Sequence, residues 1–131
     1  MKIIFNFKIV VLSCLLGFSI QTAAHHGYPQ YNMGGPGVSL QGTIGNFRMG
    51  NPHSHMTIIV INENGEEELW AVETTDTLRG MRQKGFAADT LKPGDEVTLV
   101  VSPAINGDRT AVFRSVEFAD GTIMPAPTPR Q

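Results

Sequence analysis

The four histidines of this 131-residue chain fall into two tight pairs, His25-His26 and His53 with His55. Imidazole titrates near pH 6.5 and a terminal amine near 8, so both offer lone pairs at neutral pH. If the chain is cut after Ala24, His25 becomes the N-terminal residue. Its amine and Nδ1 can then chelate one ion in a six-membered ring, and a third nitrogen completes a T-shaped brace. His53 or His55 would supply that nitrogen; if residues 53–55 are extended, the two side chains point to one face. Three or four nitrogens without a thiolate suit Cu(II), which heads the divalent affinity order. Zinc is the alternative for the same histidines. The candidate metal ligands are therefore His25, His26, His53 and His55. Met33, Met49 and Met56 lie near them in sequence and could add a soft thioether for Cu(I).

The cut itself is expected from the first 24 residues. Lys2 and Lys8 give a positive start, Ile9 to Ile20 is a mostly apolar stretch, and Thr22 and Ala24 are small residues at −3 and −1 of a cleavage site. The stretch is shorter than the roughly 20 apolar residues of a membrane span. The chain is thus expected to be periplasmic or secreted, with no stable membrane insertion after cleavage. A lipoprotein cut at Cys14 would leave charged Lys8 inside a truncated apolar core; an uncleaved N-terminal anchor is the other reading.

Composition limits what remains. The 107 residues after Ala24 are enough for one small domain, and none is cysteine, so disulfides and thiolate ligands are excluded there. Twelve acids outnumber the Lys and Arg residues, and on that balance nucleic acid and anionic lipid are not expected as partners. The expected partners are a metal ion and, secondarily, a periplasmic protein. No Ser-His-Asp order, phosphate-binding glycine loop or zinc-protease helix occurs, and the acids around Pro93-Gly94 lack calcium-loop spacing. No catalytic residue is assigned, and a binding protein is favoured over an enzyme.

Four regions follow along the chain: the signal segment 1–24, an irregular arm 25–37 rich in Gly, Pro, Tyr and Asn, a β-rich domain 38–124, and a Pro-rich tail 125–131 expected to be disordered. Within the domain, Val38, Leu40 and Ile44 occupy even positions of a first strand, Val38–Phe47. Met56–Ile61 is a second strand, Asn62-Glu63-Asn64-Gly65 a turn, and Leu69–Val72 a third strand. Glu66-Glu67-Glu68 then reads as the solvated end of a hairpin. Thr74-Thr75-Asp76 can cap a short helix, Thr77–Lys84, stopped by Gly85 and buried through Leu78 and Met81. Strands Glu96–Val101 and Thr110–Phe118 and a short last strand after Asp120-Gly121 complete the domain. Three strands, a helix and two or three more strands is the order of a small OB-like barrel, all-β with one short helix; closure would remove the exposed edges of such short strands. An antiparallel β-sandwich is the alternative. Trp70 is expected in the core or at the barrel mouth, with Glu73 on the opposite face. Glu73 could support a ligating histidine by a hydrogen bond, or be a solvated acid at a strand end. Tyr28, Tyr31 and Phe47 could form an aromatic platform or simply pin the arm.

His25-His26-Gly27-Tyr28 with Tyr31, Asn51-Pro52-His53, Trp70-Ala71-Val72-Glu73 and Leu91-Lys92-Pro93-Gly94-Asp95-Glu96-Val97 together resemble a family of small exported bacterial proteins, domain of unknown function 6152. The likeness covers nearly all of the chain after the expected cut, and the HHG start with the internal NPH is its most specific part. It implies an exported, β-rich domain and brings no activity with it. Three functions follow from the residues: metal binding for storage, delivery or sensing; a non-metal OB-like module for a small molecule, glycan or protein; and, last, a copper oxidoreductase.

Overall fold

Alternating apolar residues along five segments produce five strands, each with one face turned to a common core. The computed structural model describes residues 28–125. Its elements are β1 (Val38–Arg48), β2 (His55–Ile61), β3 (Glu67–Glu73), α1 (Leu78–Gln83), β4 (Glu96–Pro103), β5 (Thr110–Phe118) and β6 (Ile123–Met124). β1 pairs antiparallel with both β2 and β4, β2 with β3, and β4 with β5. A parallel pairing of β3 with β5, through Ala71–Thr110, Val72–Ala111 and Glu73–Val112, then closes the ring. This is the five-stranded OB-like barrel expected from the element order. The sandwich falls away because β3 and β5 are hydrogen-bonded neighbours and leave no open sheet between them.

The interior is filled by Leu40, Ile44 and Phe47 from β1, Met56 and Ile58 from β2, Val72 from β3, Val97, Leu99 and Val101 from β4, and Ala111, Phe113 and Val116 from β5. Met81 of α1, with Phe86 and Leu91 after it, adds to the same core, and the Phe86 ring stands edge-on to Phe113 at 5.8 Å. The cap differs from the expected Thr74-Thr75-Asp76. Thr77 is the N-cap and its side chain accepts from the Gly80 amide, while Asp76 pairs with Lys84 at 2.6 Å. Gly85 follows the C-cap with φ +91°, where a side chain would be strained. Glu68 is more than a solvated acid of the hairpin. It accepts from Arg109 at 2.9 Å and from Asn62 at 3.2 Å. No helix among the described residues is long and apolar enough to cross a membrane.

Two β-bulges interrupt the alternation, and both shape the candidate site. In β1 the register with β2 passes from Ile44–Ile58 to Asn46–Thr57, leaving Gly45 as the extra residue. After it, Phe47 rather than an even-numbered residue faces the core, while Asn46 and Arg48 face outward and are exposed. The even-position reading therefore holds for Leu40 and Ile44 but not beyond them. Val38, at the strand's start, is also exposed. In β5 the register with β4 jumps from Val100–Ser115 to Val101–Phe113, so Arg114 is the extra residue and leaves the ladder.

Candidate functional site

Residues 28–37, the described part of the arm before β1, are fastened to one side of the barrel. Asn32 N–H donates to the Pro103 carbonyl at 2.9 Å, Ile105 N–H donates to the Gln30 carbonyl at 2.8 Å, and Tyr31 forms an isolated bridge with Ala104. The bulged Arg114 completes the attachment. Its Nε donates to the hydroxyl of buried Ser102 at 2.7 Å, and its Nη2 reaches the carbonyls of Asn32, Met33 and Gly35 at 3.3, 3.1 and 2.9 Å. Guanidinium, with its planar fork of five donors, can gather several carbonyls at once. The sequence does not single out Arg114; the signal it offers is a cation set directly after the apolar run Ala111-Val112-Phe113 in β5.

The fastened arm carries Tyr28 to His53. The Tyr28 hydroxyl lies 3.2 Å from His53 Nε2, and the two rings meet edge-on at 6.0 Å. Tyr28 also packs against Tyr31, with ring centres 6.1 Å apart. His53 Nδ1 is buried and has no hydrogen-bond partner among the described residues. The loop bearing His53 is held from below. Ser54 is fully buried, its N–H donates to Thr74 Oγ1 at 3.1 Å, and the Thr74 N–H donates back to the Ser54 carbonyl at 2.9 Å. Gly50 N–H donates to Ser54 Oγ at 3.3 Å, and Asn51 Oδ1 accepts from the first helical amide, Leu78, at 3.1 Å. The buried Ser54–Thr74 pairing and the exposed Asn51 bond together fix the loop to the start of α1.

His53 and His55 flank buried Ser54, as alternation requires, but their neighbours differ. His53 meets Tyr28. His55 opens β2 on the barrel's outer face, exposed, in register with Arg48 of β1 and Glu73 of β3. One step along the same face, Asn46, Thr57, Ala71 and Thr110 form a second row across β1, β2, β3 and β5. With Tyr31 at the side, these two rows bound an open groove of about 460 Å³. Glu73 lies on the face opposite Trp70, as alternation predicts. It is one of the charges that act on the arm. The pKa of Tyr31 is raised above 10.0, chiefly by burial and further by the Glu73 carboxylate, against an opposing hydrogen bond with Thr110. Tyr28 is raised by burial first and Glu73 next.

His25 and His26 lie outside the described residues. Among the described residues, no three His, Cys, Asp or Glu side chains gather closely enough to hold a metal. Met56 is a core residue at 2% exposure and Met49 packs against the core, whereas Met33 is exposed. Trp70 is half-buried against the core, and its indole N–H has no hydrogen-bond partner among the described residues. Arg48, Asn46, Thr57 and Thr110 were also not foreseen as neighbours of a site, because the Gly45 bulge and the parallel β3–β5 seam bring them together.

Two crystal structures of the mitochondrial single-stranded DNA-binding protein Rim1 from S. cerevisiae are similar to this barrel. One is 15% identical with a TM-score of 0.48, covering 63% of this chain and 92% of that chain. The other, selenomethionine-labelled, is 14% identical with a TM-score of 0.49, covering 63% and 93%. The expectation that nucleic acid is not a partner is corrected here, because net charge alone does not exclude it. Phosphate recognition depends on a few local Lys and Arg contacts, so the overall acid–base balance of a chain does not decide it. No curated protein matches the chain in sequence. The model of one family of unknown function, DUF6152, matches residues 12–114, and the chain belongs to that family.

Proposed function

We propose that this protein is an exported copper-binding protein whose site is completed when cleavage after Ala24 frees the amine of His25. The observation that carries the reading is the Tyr28–His53 contact. His25 stands three positions before Tyr28, and three such steps span at most roughly 10–11 Å. A chain whose Tyr28 is seated on His53 therefore keeps His25 within reach of the same imidazole. The buried, unpartnered Nδ1 of His53 supports the reading further, since a buried polar atom without a partner costs about 1–3 kcal/mol. A ligand to that nitrogen would remove the cost.

In this reading the His25 amine and Nδ1 chelate the ion, His53 is the third nitrogen, and His26 and His55 are the alternate ligands. The nitrogen-only donor set favours Cu(II) over zinc. Storage, delivery or sensing of the ion needs no turnover, and no catalytic group is assigned. The test is copper titration of protein beginning at His25 beside protein carrying one extra residue ahead of it. One Cu(II) per chain with nitrogen hyperfine structure is expected for the first. The extended protein should bind at least about tenfold more weakly, roughly 1.4 kcal/mol, with an altered spectrum. Equal binding by both would remove the terminal amine from the site; no uptake by either would end the proposal.

A second reading, an OB-like module for a non-metal ligand, is favoured by the separate groove beside His55.

A further inference from the structure

We infer that the groove over β1, β2 and β3 binds a carboxylate-bearing saccharide, of the hexuronic acid class, independently of any metal at His53. Each wall of the groove states a requirement. Arg48 is exposed and, among the described residues, has no carboxylate within ion-pair distance. Guanidinium only donates, so its natural partner is an anionic, planar acceptor. Glu73, two strands away, only accepts when ionised, so beyond the Tyr31 hydroxyl with which it already interacts it suits a further hydroxyl or ammonium donor. The strands bearing Arg48 and Glu73 flank β2, so they stand about 10 Å apart, at two strand spacings. His55 lies between them.

A ligand that satisfies both ends must therefore hold its carboxylate and its donors several ångströms apart. The carboxylate and ammonium of one α-amino acid sit on the same carbon and cannot do so. The carboxyl of a hexuronic acid ring and its ring hydroxyls meet the requirement. The second row, Asn46, Thr57 and Thr110, offers an amide and two hydroxyls that can donate or accept, which matches a polyhydroxylated ring. Tyr31, held by its backbone bridge to Ala104, supplies an aromatic wall, and Ala71 leaves the middle of the floor low. The volume, about 460 Å³, is in the range of pockets for small ligands.

The experiment is an amide NMR titration of the protein with digalacturonate, with the neutral disaccharide cellobiose, and with a short oligothymidylate. Digalacturonate is expected to shift the amides of Arg48, His55, Thr57 and Glu73, and to bind at least about tenfold more tightly than cellobiose. Arg48→Ala should abolish that preference. Glu73→Gln, which keeps the shape but replaces one accepting oxygen with a donating amide, should weaken both sugars together. Unshifted strand amides elsewhere in each variant report that the barrel is intact. Equal binding of the neutral and acidic sugars, no response to either, or tighter binding of oligothymidylate at the same residues would each overturn the inference. Copper uptake at His53 is read separately, so failure of one site does not imply failure of the other.

Discussion

Tyr28 reaches across 25 positions of sequence to set its hydroxyl 3.2 Å from Nε2 of His53. The bond joins the arm to a loop that is itself tied to the start of α1 through Ser54, Thr74 and Asn51. Arm, loop and helix are thereby one mechanical unit, and a change at any of them should be felt at His53.

Arg114→Ala should release the arm without opening the barrel. The guanidinium bonds to three arm carbonyls and to buried Ser102 would go, leaving the Ser102 hydroxyl without this partner. A hydrogen bond from a charged donor contributes about 1.5–3 kcal/mol, and a loss of that order is expected in denaturant unfolding. Hydrogen exchange should accelerate at residues 31–35 and remain slow in β1 and β4. Fast exchange throughout the strands would mean that Arg114 supports the barrel itself.

Glu73→Gln should lower the pKa of both arm tyrosines. Each is raised above 10.0 first by burial and then by the Glu73 charge, so removing the charge recovers part of the shift. A raised folded-state pKa means that the neutral phenol is favoured in the fold. Its contribution to stability is complete below pH 10.0 and is lost as pH climbs through the folded values. Tyrosinate absorbance against pH, in both proteins, measures the shift. Unchanged titration in the variant would show that burial alone is responsible.

Leu99→Ala should cost about 2–5 kcal/mol, the range for truncating a buried aliphatic side chain. Leu99 is at 0% exposure in the centre of β4. Trp70→Ala should cost less than the about 3–5 kcal/mol of a buried aromatic, because Trp70 is only half-buried. Thermal or denaturant unfolding of the two variants gives the comparison. A larger loss at Trp70 than at Leu99 would reverse this ranking.

Most of the barrel was legible because apolar alternation and turn residues act locally. Met56–Ile61, Thr110–Phe118 and the Gly85 stop needed only neighbours in sequence to be read. Two bulges were not legible. Gly45 marks one of them, since a Cβ there would come within 2.7 Å of Thr57 Oγ1, but a single glycine in a strand does not reveal its register. The histidines of the candidate site were conspicuous by pairing. Their surroundings were not, because Tyr28 on His53 and Glu73 beside His55 are contacts across distant segments. The overall charge could not decide the partners, because it averages over the chain what a surface presents locally.

The parallel seam between β3 and β5 also governs how the chain can fold. Ala71 to Glu73 cannot find Thr110 to Val112 until α1, β4 and the turns between them have been brought round. Topologies dominated by such distant pairings fold on the order of milliseconds to seconds, slower than helical bundles. Before the seam forms, β3 has a free edge whose backbone donors and acceptors can pair with another chain. The interval before ring closure is therefore when this protein is most exposed to aggregation.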